Sequence, residues 1–218
     1  EPDSGSDARN MQTFAERDGD DYIINGTKNW VTSGENSDLV VFFCRTKRDS
    51  STNGISAFII DKSTPGLTVG KKEDKLGLRA SDTCQLYFEN CRLSKENRIG
   101  DEGQGFSIAM NALGGGRIGI AAQSVGLARS ALEKAISYSK EREQFGKPIS
   151  KFGAIQNKLA DIATNVQSAR LLVWQAAYLK DKGRDYIKES SMAKLFASST
   201  AMNAASESVQ IHGGYGYM

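Results

Sequence analysis

The sequence predicts an α+β protein with segregated halves: a barrel-like all-β domain followed by an antiparallel helical bundle. Three observations carry this. Up to Leu93 the apolar residues alternate with polar ones, the period of a half-buried strand. From Ile118 onward they recur every three or four residues, the period of a helix face. Between the two regimes lies the glycine cluster Gly100, Gly103 and Gly105. Runs of strands followed by runs of helices indicate two separate packing units, not a doubly wound sheet. The boundary is placed so that residues 1–100 form the β-domain and 101–218 the helical one.

In chain order, segments 22–25 and 27–32 flank Asn25-Gly26, a strong hairpin signal. Strands are expected over 39–46, 55–61, 67–71 and 83–93, with turn chemistry at 49–54 and 63–66. The first helix begins within 106–113 and buries Ile118, Ala121, Val125, Ala128, Leu132 and Ala135, continuing to Glu143. A second buries Ile155, Leu159, Ile162, Val166, Ala169, Val173 and Ala176, and Gly183 ends it. A third buries Met192, Leu195, Met202 and Val209, then breaks at Gly213, Gly214 and Gly216. These last glycines can adopt positive φ and lie against a flat ligand.

Composition narrows function mainly by exclusion. The 218 residues are 39% hydrophobic and 25% charged, ordinary for a globular chain. A net charge of +2 points to neither nucleic acid nor a membrane surface. The apolar run at 38–44 is too short to span a bilayer. Cys44, Cys84 and Cys91 are odd in number and lack metal-site spacing, so reduced thiols and no zinc are expected. A single histidine argues against a His-based metal site or a serine-type triad.

Gly114, Gly116 and Gly119 spell the dinucleotide fingerprint, but a helix-like segment precedes them where a strand is required. Close helix packing is the better explanation. Trp30-Val31-Thr32-Ser33 ends a strand at a small polar turn. In isolation it reads as a core tryptophan near a hairpin end. Glu141 to Lys147, Glu-Arg-Glu-Gln-Phe-Gly-Lys, reads in isolation as a solvated charge run closing a helix.

Two stretches at opposite ends change these readings. Residues 1–7 are Glu-Pro-Asp-Ser-Gly-Ser-Asp, and residues 210–218 are Gln-Ile-His-Gly-Gly-Tyr-Gly-Tyr-Met. They resemble, in the right order, the two signatures of the acyl-CoA dehydrogenase family. Trp30-x-Thr32 and Arg142-x-x-Phe145-Gly146-Lys147 also resemble family segments, and the stretch from Gly114 to Gln123 is most similar to the butyryl-CoA end of the family.

The resemblance implies an internal piece of such an enzyme, with a helical domain expected before Glu1 and further helices after Met218. It implies bound FAD. Trp30 and Val31 would lie beside the flavin, with the Thr32 hydroxyl on flavin N5 and Ser6 near both flavin and acyl-pantetheine. Arg142, with Gln144, would face the pyrophosphate. Gln210, Ile211, His212, Gly213 and Gly214 would reach the FAD of a neighbouring subunit. Arg117 would contact CoA, although the family acid near it is Gly114 here. A glutamine that the family carries downstream of Arg142 is Gly153, so adenine-side binding is expected to be weak.

The implied reaction takes acyl-CoA to the trans-2-enoyl-CoA and passes electrons to an electron-transfer flavoprotein, within a homo-oligomer that is a dimer of dimers. The compartment would be bacterial cytoplasm or mitochondrial matrix. No catalytic base is expected within the chain: the usual family glutamate would follow Met218, and the alternative position is Gly116. Same-fold flavin monooxygenases or oxidases, and a non-catalytic flavin- or CoA-binding remnant, stay open as alternatives.

Overall fold

The structure is a computed structural model and describes residues 1–48 and 52–218. Residues 49–51 of the turn expected at 49–54 therefore lie outside the described residues, and Thr52–Gly54 form a single 3-10 turn. The chain separates into two compact units, Glu1–Met110 and Asn111–Met218.

The first unit is a seven-stranded mixed sheet. Its strands are β1 (Phe14–Asp18), β2 (Asp21–Thr32), β3 (Leu39–Arg45), β4 (Ile55–Asp61), β5 (Leu67–Val69), β6 (Thr83–Ser94) and β7 (Arg98–Ile99). The spatial order is β5-β6-β2-β1-β3-β4-β7, with β1 and β3 parallel and the other pairs antiparallel. The α+β class stands, but the sheet is open, with β5 and β7 as its edges, and does not close into a barrel.

Alternation along β3 and β6 places Val40, Phe42, Cys44, Cys84, Leu86 and Phe88 on one buried face. Tyr22 meets Phe58 edge-on at 5.0 Å, and Phe42 lies 4.7 Å from Phe88. Aromatic packing of this kind adds to the hydrophobic burial that holds a half-exposed sheet together.

Asn25-Gly26 is not a hairpin. Strand β2 runs straight through it, and the register against β6 shifts between Ile24 and Gly26. The pair forms a β-bulge. Asn25 Oδ1 accepts the Asn90 N–H at 2.8 Å, and Asn90 itself has φ +51°. Glycine is required because φ is +149° and a Cβ would lie 2.6 Å from Thr13 Oγ1. The hairpin is instead at Gly19-Asp20, joining β1 to β2 across the Asp18–Asp21 pair.

In the second unit, α1 (Gly105–Glu141, whose first turns belong to the first unit) is followed by the hairpin β8 (Glu143–Gln144) and β9 (Lys147–Pro148). Then come α2 (Gly153–Asp181), α3 (Ile187–His212) and a four-residue turn of helix, α4 (Gly214–Tyr217). One core cluster joins Ile118 and Ala121 to Ala176 and Ala193; another joins Ala128 and Leu132 to Ile162 and Ala204. As α1 advances, α2 runs backward and α3 forward, so α2 is antiparallel to both.

The α1 and α2 stripes are buried or half-buried as expected. The α3 stripe is not. Met192, Leu195, Met202 and Val209 are exposed, and Ala193, Ala197, Thr200, Ala204, Ser208 and Ile211 face inward. Alanine-rich contacts bring the axes close and leave no room for long side chains between them. The Ser208 hydroxyl bridges to the Ala131 carbonyl at 3.1 Å.

Two glycine expectations also change. Gly114 does serve close packing, since a Cβ there would meet Ile187 Cδ1 at 2.6 Å, but Gly116 and Gly119 face open space. At the end of α3 only Gly213 takes positive φ, +58°. Gly214 and Gly216 are helical, and Gly216 sits against the Val209 carbonyl, not an open ligand face.

Candidate functional site

In the first unit the predicted residues gather around the segment before β1 and the end of β2. The Glu1 carboxylate accepts the backbone N–H of Gln12 and Thr13 and pairs with the Lys28 ammonium, both side chains being largely buried. Burial alone would raise this carboxyl, but the Lys28 charge and the amide donors outweigh it and hold it below its ordinary value. The pair ties the Glu-Pro-Asp-Ser-Gly-Ser-Asp segment to β2.

Beside it, Lys28 to Val31, Val40 to Phe43, Met11, Ser4 and Gly5 line a cavity of about 330 Å³. Trp30 is not a core residue. It is 66% exposed and has φ +58°, at a second bulge where the β2–β6 register shifts between Lys28 and Val31. A bulky residue in left-handed backbone costs about 1–3 kcal/mol and persists where the surroundings impose it, often at functional sites. Val31 and Thr32 regain the ladder opposite Cys84 and Thr83. Thr32 and Ser6 are exposed, and neither is among the lining residues of this cavity.

In the second unit, Arg142, Gln144, Ile211, His212, Gly213 and Gly214 line one cavity of about 510 Å³ together with Tyr138, Ile149, Tyr215 and Met218. Tyr138 stacks on His212 with ring centroids 4.5 Å apart, and Tyr215 stands edge-on to Tyr138 at 6.3 Å. His212 Nδ1 contacts the Ser208 carbonyl at 2.7 Å, which makes Nδ1 the donor and anchors the ring as an aromatic wall.

The Arg142 guanidinium is exposed and has no carboxylate partner among the described residues. Arg142 was expected to face the pyrophosphate, and Gln210 to Gly214 to reach the FAD of a neighbouring subunit. Arg142 shares its cavity with Ile211 to Gly214 of its own chain. Gln210 is exposed and off the lining; its carbonyl accepts the Gly213 N–H.

Arg117 is half-buried on α1 and lines neither cavity. Gly153, where the resemblance leads one to expect a glutamine, opens α2 onto free space. Glu102 and Glu207 match neither of the family's positions for a base, and each already has a partner. Glu102 Oε2 accepts the Tyr22 hydroxyl at 3.0 Å, and Glu207 pairs with Lys158. No metal-binding cluster occurs among the described residues.

Sequence reasoning missed Tyr138, Tyr215 and the Glu1–Lys28 pair. Tyr138 had a readable signal: it precedes Arg142 by one helical turn. Phe145, noted in the sequence only as part of the Arg142-x-x-Phe145-Gly146-Lys147 segment, is 93% exposed with φ +54° at the tip of the β8–β9 hairpin.

An open mixed sheet followed by three long helices, each unit with its own lined cavity, places the chain among two-unit α+β proteins. Residues 1–91 match the domain described as acyl-CoA dehydrogenase, middle domain, and residues 103–218 match acyl-CoA dehydrogenase, C-terminal domain. The chain belongs to the acyl-CoA dehydrogenase family.

It is 50% identical over its whole length to the mitochondrial short-chain specific acyl-CoA dehydrogenase of Rattus norvegicus, of which it covers 53%. It superposes on butyryl-CoA dehydrogenase from Megasphaera elsdenii with a TM-score of 0.96 at 46% identity, over 100% of this chain and 57% of that one. A chain in the solved structure described as the electron transferring flavoprotein of Acidaminococcus fermentans gives 0.96 at 51% identity, over 100% and 57%. The chain thus spans little more than half the length of these relatives. They include mitochondrial and bacterial proteins, and no helix of the described residues is long and apolar enough to cross a membrane.

Proposed function

We propose that this chain carries two parts of the FAD site of a short-chain acyl-CoA dehydrogenase, an enzyme that oxidises an acyl-CoA to the trans-2-enoyl-CoA and delivers electrons to an electron-transfer flavoprotein. The observation that carries the reading is Trp30: an exposed indole, held in left-handed backbone at a bulge, beside a lined cavity and one residue from Val31-Thr32.

The residues present suit the cofactor. Trp30 and Val31 offer apolar area to a flat ring, and the Thr32 hydroxyl and Ser6 offer hydrogen-bond donors. In the helical unit, the Arg142 guanidinium, without a carboxylate partner among the described residues, suits a pyrophosphate, which it can bind through two parallel hydrogen bonds. Tyr138, His212 and Tyr215 supply aromatic walls, and Gln144 with the backbone of Gln210 to Gly214 supplies polar contacts. FAD, when bound, supplies the hydride acceptor. Arg117 is assigned to the CoA moiety.

The two half-sites are proposed to serve FAD in a homo-oligomer, a dimer of dimers, with Arg142 and Gln210 to Gly214 acting together from one copy. The boundary between the functional domains is proposed at residues 100 and 101, and the compartment as bacterial cytoplasm or mitochondrial matrix. The acceptor of the substrate α-proton is not assigned within residues 1–218, because Glu102 and Glu207 are both engaged. FAD titration of the purified protein, followed by dye reduction with butyryl-CoA, tests the proposal. Absence of flavin binding by both the chain and a version extended in its native reading frame would defeat it.

A further inference from the structure

Asp82 lies in Ser81-Asp82-Thr83, a segment with no role in the site so far. Its side chain is buried. One carboxylate oxygen accepts the Glu35 backbone N–H at 2.8 Å, and the other accepts the Asn36 side-chain amide at 2.8 Å. Its main-chain carbonyl accepts the Ser33 N–H at 3.1 Å. All three donors belong to the turn that immediately follows Thr32.

That turn has little core of its own. Ser33, Glu35 and Asn36 are exposed, and only Gly34 is buried, where a Cβ would lie 2.5 Å from Cys84 Sγ. The Ser37 hydroxyl, next along the chain, is buried with no hydrogen-bond partner among the described residues. What the turn does adjoin is Val31-Thr32, bracketed by two residues in left-handed backbone, Trp30 (φ +58°) and Ser33 (φ +62°). Such conformations persist only when flanking contacts over-determine them. β6 supplies those contacts twice: the ladder from Cys84 and Thr83 to Val31 and Thr32, and the Asp82 bonds just beyond.

We propose that Asp82 is a positioning residue for the flavin site: by locking the turn at 33–36 it holds Trp30 to Thr32 in the projecting conformation that meets the cofactor. This rests on the flavin reading of Trp30 and Thr32. Asp82 itself is not proposed to touch the cofactor.

The experiment compares Asp82→Ala, Asp82→Asn and Asn36→Ala with the parent protein, and uses Ser37→Ala as a control. Amide hydrogen exchange is followed at Ser33 and Glu35. Trp30 fluorescence anisotropy is read in a Trp174→Phe background. FAD affinity and the absorbance band of bound flavin complete the set. Asp82→Ala is expected to speed exchange at Ser33 and Glu35 and lower Trp30 anisotropy. It should also weaken FAD binding by about tenfold, the scale of one charge-assisted hydrogen bond, and shift the flavin band.

Asp82→Asn, which keeps one acceptor oxygen, should recover much of the affinity, and Ser37→Ala should match the parent. If Asp82→Ala does not fold, Asp82→Asn and Asn36→Ala carry the test through intermediate losses. Lowered thermal stability with unchanged flavin affinity, band position and Trp30 anisotropy per folded molecule would make Asp82 merely structural and overturn the proposal. If the parent binds no FAD, the flavin reading falls by itself. Exchange and anisotropy then still decide whether Asp82 holds the segment, and no change in either overturns the proposal.

Discussion

Tyr138 and His212 stack at 4.5 Å with 24° between their ring planes, joining the last turns of α1 and α3 beside the Arg142 guanidinium. Arg142→Ala is expected to weaken FAD binding by about 10- to 100-fold, the loss of a charge-assisted contact of roughly 1.5–3 kcal/mol. Arg142→Lys should recover only part of this, because an ammonium does not reproduce the two-pronged geometry. Tyr138→Ala should lose less, about fivefold, through the stacked wall. Fluorescence titration of FAD ranks the three variants, and equal affinity in all of them would remove this cavity from the site.

At Trp30 stability and binding should separate. Trp30→Gly relieves the left-handed backbone while removing a mostly exposed ring, so the folded state should be as stable as the parent, or more stable by up to about 1 kcal/mol. Flavin binding should nevertheless collapse. Urea unfolding and FAD titration on the same preparation check both halves. Unchanged flavin affinity and absorbance would take Trp30 out of the site.

The outward face of α3 should drive self-association. Met192, Leu195, Met202 and Val209 form an exposed apolar stripe, and contiguous surface of this kind marks interfaces or aggregation-prone patches. The protein is expected to be oligomeric by light scattering at tens of micromolar, roughly the regime in which such patches act. Leu195→Glu with Met202→Glu should shift it toward monomer without lowering helix content. A soluble parent monomer under the same conditions contradicts this.

Both limbs of the pH–stability profile follow from buried groups. The Asp82 carboxyl is held below its ordinary value by the Asn36 amide and the Glu35 N–H, with Lys72 nearby. The Glu1 carboxyl is also lowered, the Lys28 pair and its amide donors outweighing the opposing effect of burial. In both cases the unfolded state takes up the proton at higher pH than the folded state. Their contribution is therefore complete above the ordinary carboxylate range and lost as pH falls through the folded values, below about pH 4.

Cys44 does the reverse. Burial pushes its thiol from 9.0 up to about 12, so the folded state keeps a proton that the unfolded state releases. Stability should fall as pH rises from 9 toward 12, by about 1.4 kcal/mol per pH unit for one such group. Urea midpoints across pH 2 to 11, about the span of these titrations, test both limbs. Cys44→Ala should flatten the alkaline limb, leaving the smaller part from Cys84 and Cys91, whose thiols burial also raises.

Residues 1–218 alone should not dehydrogenate butyryl-CoA at a useful rate. A positioned general base contributes about 10²- to 10⁴-fold. Position 116 is glycine, and Glu102 and Glu207 already have partners. Dye reduction with added FAD, comparing this chain with a version extended in its native reading frame, is the measurement. Full activity in the short chain, abolished by Glu102→Gln or Glu207→Gln, would identify the base that this reading overlooks.

Sequence alone determined that a region of strands precedes a region of long helices, because local periodicity records which positions alternate and which recur every turn; the short strands β1, β7, β8 and β9 carried too few residues to show a period. It also singled out Trp30, Arg142 and the residues from Gln210 to Gly214 as candidates by motif. Tertiary structure decided which side of a pattern is inside. On α3 the period was legible, but two faces share it, and alanine-to-alanine approach of the axes turned Met192, Leu195, Met202 and Val209 outward.

Tertiary structure also made Asn25-Gly26 a bulge instead of a turn, because Thr13 from another segment occupies the space where a Cβ would stand. It set Arg142 beside Ile211 to Gly214 and placed Asp82 under the turn after Thr32. Those partners are 46 or more positions apart in the chain. No local pattern encodes such pairings; they exist only once the sheet and the helices have closed on their cores.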